Sequence, residues 1–272
     1  GENWPNRKVT VSLSPAWLPK SGSSFDLAIA LAILVAHGSL AQDSIDSTLI
    51  LGELGLDGSI RGVNGVLPAL IAGHREGIAR AIIPIANIGE GSLLQSMEIV
   101  AFATLRELLI YLRTGEGTSH TSEALDESTD PLLDFEDVAG QLRARFGADV
   151  AAAGGHHLLL IGPPGAGKTM IASRIPTILP PLTIEQSLEV TSLHSVAGTL
   201  SERSPMSRMA PIVAPHHSAT RVAMVGGGAH VIRPGACSLA HHGVLFIDEA
   251  PECASGILDS LRQPLESGTI TI

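Results

Sequence analysis

Three glycines, a lysine and a hydroxyl are spaced through Gly162-Pro163-Pro164-Gly165-Ala166-Gly167-Lys168-Thr169 in the pattern G-x-x-x-x-G-K-T. Glycines at this spacing let successive backbone N–H groups converge on phosphate oxygens, and a helix starting at Lys168 turns its positive end to the same anion. In that geometry Lys168 reaches the outer phosphates of ATP and Thr169 sets its hydroxyl on Mg²⁺, with Met170 following in the first helical turn. Further along, Val244-Leu-Phe-Ile-Asp-Glu249 ends an apolar run in two acids. Asp248 is placed to hold the metal, usually through water, and Glu249 to orient the attacking water, so the consecutive pair points to hydrolysis rather than binding alone.

These residues need a frame. Leu158–Ile161 reads as a short apolar strand leading into the glycine loop, and Val244–Ile247 as a second buried strand delivering the acids. Unbroken apolar strands of this kind belong in a parallel sheet covered by helices on both faces, which makes residues 134–272 a P-loop α/β domain. Residues 1–113 mix strands and helices into a separate α/β domain. The readings there are a strand over Val9–Leu13, a helix over Asp26–His37, a strand over Thr48–Glu53, a turn at Asp57-Gly58, a helix over Leu67–Glu76, a strand over Arg80–Pro84 and a helix over Leu105–Arg113. Residues 114–133 are acidic, rich in Ser, Thr and Gly, and read as a linker. Gly268–Ile272 reads as a turn followed by a strand just begun, so the chain is expected to be cut at both ends.

Bulk properties narrow the classes. The longest apolar run, Leu27–Ala36, is ten residues, too short to span a bilayer, and no leader pattern opens the chain; a soluble, cytoplasmic protein with no membrane partner is expected. Cys237 and Cys253 are too few for a disulfide scaffold and read as core thiols. The net charge is −10, which argues against nonspecific coating of nucleic acid. Yet Arg203–Ile247 contains no Asp or Glu. Its Arg203, Arg208 and Arg221 are candidates for DNA phosphates, and equally for ATP phosphates or subunit contacts, while Arg233 reads as structural. The pairs His156-His157, His216-His217 and His241-His242 invite a metal reading. On a strand, however, adjacent side chains point to opposite faces, so a structural or phosphate-sensing role is expected instead.

Asp134-Phe-Glu-Asp-Val-Ala-Gly-Gln141, the glycine loop, Ala214-Pro-His-His217, Val225-Gly-Gly-Gly228, Arg233-Pro-Gly235, Ser238–Glu249 and Leu261-Arg-Gln-Pro-Leu-Glu266 together resemble the magnesium-chelatase-related AAA+ ATPases, most closely their ComM (YifB-like) branch. The resemblance implies ATP and Mg²⁺ as cofactors and an adenine pocket lined by the segment Asp137–Gln141, with Asp137 and Val138 as its named residues. It also implies a β-hairpin insert that takes in residues 203–235 and faces the pore of a homo-hexameric ring. The activity implied is branch migration on single-stranded or branched DNA during natural transformation or recombination. A metal-insertion ATPase of the chelatase type and an ATP-dependent protease are the alternatives, and a front domain absent from chelatase subunits is expected to separate the first two readings.

That front domain, residues 1–113, resembles the proteolytic domain of the Lon family, a ribosomal S5 domain 2-like fold. The resemblance rests on Pro19–Asp26, Leu51–Gly58, Val63–Pro68 and Ala81–Pro84 with Asn87. Ser24 falls at the nucleophile position of the Ser–Lys dyad, but the lysine position falls within Leu67–Ala69, best matched by Ala69, and no lysine occurs from Ser21 to Asp134. Without a base the serine is an ordinary alcohol, so this domain is expected to be proteolytically inactive and to serve as an assembly or DNA-contacting collar.

Overall fold

The computed structural model describes residues 8–15, 17, 20, 22–115, 133–200, 206–228 and 232–271. It divides into two compact units, one over Gly1–Asp126 with Gly198–Pro205, the other over Glu127–Ala197 with Met206–Ile272. No helix among the described residues is long and apolar enough to cross a membrane.

In the first unit the strands β1 (Thr48–Ile50), β4 (Arg80–Pro84) and β5 (Glu98–Phe102) pair in parallel with β4 in the middle, Ile82 lying between Ile50 and Val100. Alternation sorts their side chains between two cores. Ile82, Val100 and Phe102 pack with Leu27 and Leu31 of α1 (Asp26–Ala36) and Leu108 of α4 (Leu105–Thr114). On the other side Ala81, Ile83 and Ala101 pack with Val66 and Leu70 of α2 (Val66–Arg75). A parallel sheet covered on both faces is the form that apolar runs such as Ala81–Ile83 require. A tight antiparallel pair, β2 (Glu53–Leu54) with β3 (Ile60–Arg61), turns at Asp57-Gly58. There Asp57 accepts hydrogen bonds from the Ser59 hydroxyl and amide, which hold its carboxyl below the usual carboxylate range. The start of α2 is secured from a distance: buried Glu90, on the short helix α3 (Ile88–Gly91), accepts from the Leu67 N–H at 2.9 Å and from the Asn87 amide at 2.8 Å. α4 opens on a capping box between Thr104 and Glu107 and ends at Gly115 with φ +70°, the left-handed turn that glycine adopts at low cost.

The second unit contains α5 (Leu142–Gly154), α6 (Lys168–Ala172), α7 (Ile184–Ala197), β6 (Ile212–Val213), α8 (Arg221–Val225), β7 (Gly226–Gly227), β8 (Arg233–Pro234), α9 (Ala236–Leu239), β9 (Val244–Leu245), α10 (Ser255–Ser260) and α11 (Arg262–Ser267). β6 and β9 pair in parallel, and β7 and β8 form an antiparallel hairpin. Phe135, Val138, Ala148 and Ile171 make one core; Met224, Ala236, Ile257 and Leu261 make another.

Four expectations change. Val9–Leu13 is not a strand, because Val9, Val11 and Leu13 are exposed and no neighbouring strand supplies a ladder among the described residues. Leu158–Ile161 is likewise unpaired: Leu158 and Leu160 turn to the Phe135 core, whereas Leu159 and Ile161 are 78% and 89% exposed. At the other end, Gly268–Thr271 forms no strand. Finally, Ile212–Val213, read as part of a hairpin insert, instead runs parallel to the strand that carries the acidic pair.

Candidate active site

The glycine loop is shaped by its own backbone. Gly165 and Gly167 take φ of +77° and +81°, a region in which other residues are strained. A Cβ on Gly167 would meet the Gln141 amide nitrogen at 2.8 Å and the Met170 methyl at 3.3 Å, ends of flexible side chains that can shift, so it is the positive φ that strains a side chain here. Gln141 donates to the Ala166 carbonyl at 2.6 Å, and the Ala166 N–H donates to the Pro163 carbonyl at 3.2 Å. Lys168 folds over the loop and donates to the carbonyls of Gly162 and Pro163 at 2.9 and 3.1 Å. Its ammonium group is therefore held at the mouth of an exposed ring of backbone groups from Gly162 to Gly165. Pro164 lies exposed in that ring. Met170 is on the exposed side of α6, its carbonyl accepting from Ser173 and Arg174.

Thr169 begins the link to the acids. Its hydroxyl donates to Asp248 Oδ2 at 2.9 Å, joining the loop to the end of the β9 segment. The segment reaches that point through the β6 pairing, which the Val244 and Phe246 amides extend to the Pro211 and Val213 carbonyls. Asp248 Oδ1 accepts from the Glu249 N–H at 3.0 Å. Glu249 then turns with φ +51°, which directs the chain away from the strand axis and leaves its carboxylate exposed. His217 Nδ1 lies 3.4 Å from Glu249 Oε2, and Glu252 brings a second carboxylate to the same group.

Val138 is buried and its carbonyl accepts from Arg145 at 2.7 Å, while Asp137 stands 3.8 Å from Arg174. Both lie on the segment that packs against α6 through Phe135 and Ile171. Of the arginines read as DNA candidates, Arg208 is exposed but donates through Nε to the Leu182 carbonyl at 3.3 Å, and Arg221 is exposed at the start of α8. Arg203 lies outside the described residues.

Sequence reasoning placed Gln141 in the adenine-pocket segment rather than against the Ala166 carbonyl, and it did not single out His217 or Glu252 as part of this group. His217 had a visible signal, in a histidine pair within a quoted motif, but its partner Glu249 is remote in sequence. The opposite-face argument about the histidine pairs is also corrected. His216-His217 and His241-His242 lie outside strands, and their rings stand 4.0 and 3.9 Å apart.

The donor set fits a nucleotide with Mg²⁺: an exposed loop with two glycines at positive φ, one ammonium group, and a hydroxyl already set against a carboxylate. In the first unit, Ser24 precedes α1 and its carbonyl accepts from the Gly52 N–H at 3.0 Å, while Ala69 packs its methyl group beside the Val66–Leu70 core.

Residues 134–272 match the family model described as magnesium chelatase, subunit ChlI, and residues 1–87 match one described as subunit ChlI of Mg-chelatase. The second match removes the argument that a front domain separates this chain from chelatase subunits. An uncharacterized protein of Mycobacterium tuberculosis strain H37Rv is 47% identical over 100% of this chain and 54% of its own length. Competence protein ComM of Haemophilus influenzae is 42% identical over 99% of the chain and 53% of its own, and YifB of Escherichia coli K12 is 41% identical over the same shares. The chain thus spans about half the length of the curated relatives it matches. Similarity to Lon protease 2 of Bacillus subtilis is partial, 31% over 35% of this chain and 17% of that protein.

Proposed function

The chain belongs to the magnesium chelatase, subunit ChlI, family of AAA+ ATPases, and on that premise we propose that it is the ATP-hydrolysing part of a ring motor acting on DNA. The observation that carries the ATPase reading is the hydrogen bond from Thr169 to Asp248, which brings the glycine loop and the acidic pair into one site. Gly162–Thr169 hold the phosphates, with Lys168 leaving the loop carbonyls for phosphate oxygens. Thr169 and Asp248 hold Mg²⁺, which supplies charge neutralisation on the transferring phosphoryl group. Glu249 orients the water, and Asp137 and Val138 border the base.

The DNA reading is supported by similarity to a protein named for competence and by a stretch without carboxylates that presents Arg208 and Arg221 at the surface. In this reading residues 1–113 are a Lon-like domain, 114–133 a linker and 134–272 the ATPase core of a homo-hexamer. Ala69 leaves Ser24 without a base, so the Lon-like domain does not cleave peptides. The test is ATP turnover by the full-length protein with and without single-stranded, double-stranded and branched DNA. Stimulation by DNA is expected; turnover indifferent to every DNA form would return the choice to the metal-insertion reading.

A further inference from the structure

The turn between α9 and β9 brings two imidazoles onto one carboxylate. His242 Nε2 lies 2.7 Å and His241 Nε2 3.4 Å from the same oxygen of Glu189 on α7. Adjacent side chains converge here because His242 takes φ +56°, which swings its ring round beside that of His241. The arrangement is fixed from several sides. His194, one turn further along α7, holds the Leu239 carbonyl at 3.2 Å, and the Gly243 N–H returns to the Ala240 carbonyl at 2.9 Å. A Cβ on Gly243 would collide with the Pro211 carbonyl, so the turn sits tight against the chain entering β6. The three donor atoms lie within 4.8 Å of one another.

We propose that Glu189, His241 and His242 form a binding site for a divalent transition ion, with Zn²⁺ as the best chemical fit, built from none of the nucleotide-loop or acidic-pair residues. Two imidazoles and one carboxylate are a donor set zinc takes up with a fourth position left to water. Hard ions such as Mg²⁺ and Ca²⁺ prefer oxygen alone, so imidazole selects against them. With metal–ligand bonds of about 2.1 Å, tetrahedral donors stand roughly 3.4 Å apart. The Glu189–His241 pair already has that spacing, and the Glu189–His242 pair reaches it by opening its hydrogen bond. All three side chains are partly exposed, with Glu189 at 52%, His241 at 47% and His242 at 26%, so the ion has an entry path and room for water. Bound metal would cross-link α7 to the turn that leads into the Asp248 strand.

The test is ZnCl₂ titration of the purified protein, stripped with EDTA and kept in excess Mg²⁺, read by zinc content after dialysis. A parallel Co²⁺ titration reads tetrahedral coordination by visible absorption. One zinc per chain is expected, with affinity weakened by more than about tenfold in Glu189→Gln and His241→Ala, since removing even an outer partner of a ligand typically costs that much. His157→Ala, which alters an exposed histidine outside the group, should bind as the unmodified protein does. Glu189→Gln keeps the side chain's shape at a partly exposed position, and circular dichroism checks that each variant is folded. No zinc retained by the unmodified protein, or equal retention in Glu189→Gln and His241→Ala, overturns the proposal.

Discussion

Thr169 and Asp248, 79 positions apart, share a 2.9 Å hydrogen bond between the first turn of α6 and the end of the β9 segment. The contact joins a hydroxyl to a carboxylate at the surface, so its worth to stability is small, about 1 kcal/mol or less. Its value lies in position: the proposed function needs both oxygens as Mg²⁺ donors, and the hydrogen bond already holds them together. Thr169→Ala and Asp248→Asn should therefore leave thermal unfolding nearly unchanged while raising the Mg²⁺ concentration needed for turnover and lowering the rate by about tenfold or more. A Mg²⁺ titration of phosphate release, beside a thermal melt, checks both halves. Loss of stability without change in Mg²⁺ dependence would make the contact a structural one.

The Lon-like unit should release no peptides. No lysine occurs from Ser21 to Asp134, and Ala69, the position proposed to stand where the dyad lysine would, packs its methyl beside the Val66–Leu70 core. Incubation of the full-length protein with unfolded casein and ATP, followed by mass spectrometry of soluble fragments, is the check. Peptides whose appearance stops in Ser24→Ala would mean that another residue supplies the base.

Arg208 and Arg221 should contribute to DNA affinity through phosphate contacts. Removing one such contact flattens the slope of log K against log salt by about 0.7 to 0.9, with little effect on sequence preference. Arg208→Ala should show the smaller loss, because its Nε is also engaged by the Leu182 carbonyl, and Arg233→Ala serves as the control. Unchanged slopes in both variants, with ring assembly and ATP turnover intact, would take this face out of the DNA path.

What the sequence made legible was local. α1 and β4 appear where apolar pattern and turn residues place them, and α4 is bounded by Thr104, Glu107 and Gly115, whose capping roles are readable in a linear string. Strands whose partners are remote were less legible: Val9–Leu13 and Leu158–Ile161 carry strand composition, but a strand exists only where another offers it hydrogen bonds. α7 opens on a capping box between Thr183 and Gln186 that the sequence displays, but its apolar residues lie on no single face that would mark it as a helix. α7 carries Glu189 to the His241-His242 turn, a contact across 52 and 53 positions that no local pattern announces. In the candidate site the two motifs were legible because their chemistry is contained in consecutive residues. His217 and Glu252 were not, because their positions become informative only once long-range contacts set them beside Glu249, and the side-chain contact of Gln141 to Ala166 is likewise visible only in the fold.

The division of labour between Lys168 and Glu249 is the most direct test of the ATPase account. Nucleotide binding and steady-state ATP turnover should be measured together on the unmodified full-length protein, Lys168→Ala and Glu249→Gln. Lys168→Ala is expected to lose ATP binding, because no other lysine stands in the loop. Glu249→Gln is expected to bind ATP as tightly as the unmodified protein and to turn over at least about a hundredfold more slowly, because the amide cannot polarise the water. Equal affinity and turnover in all three proteins would contradict the assignment of both residues and the ATP-hydrolysing function built on them.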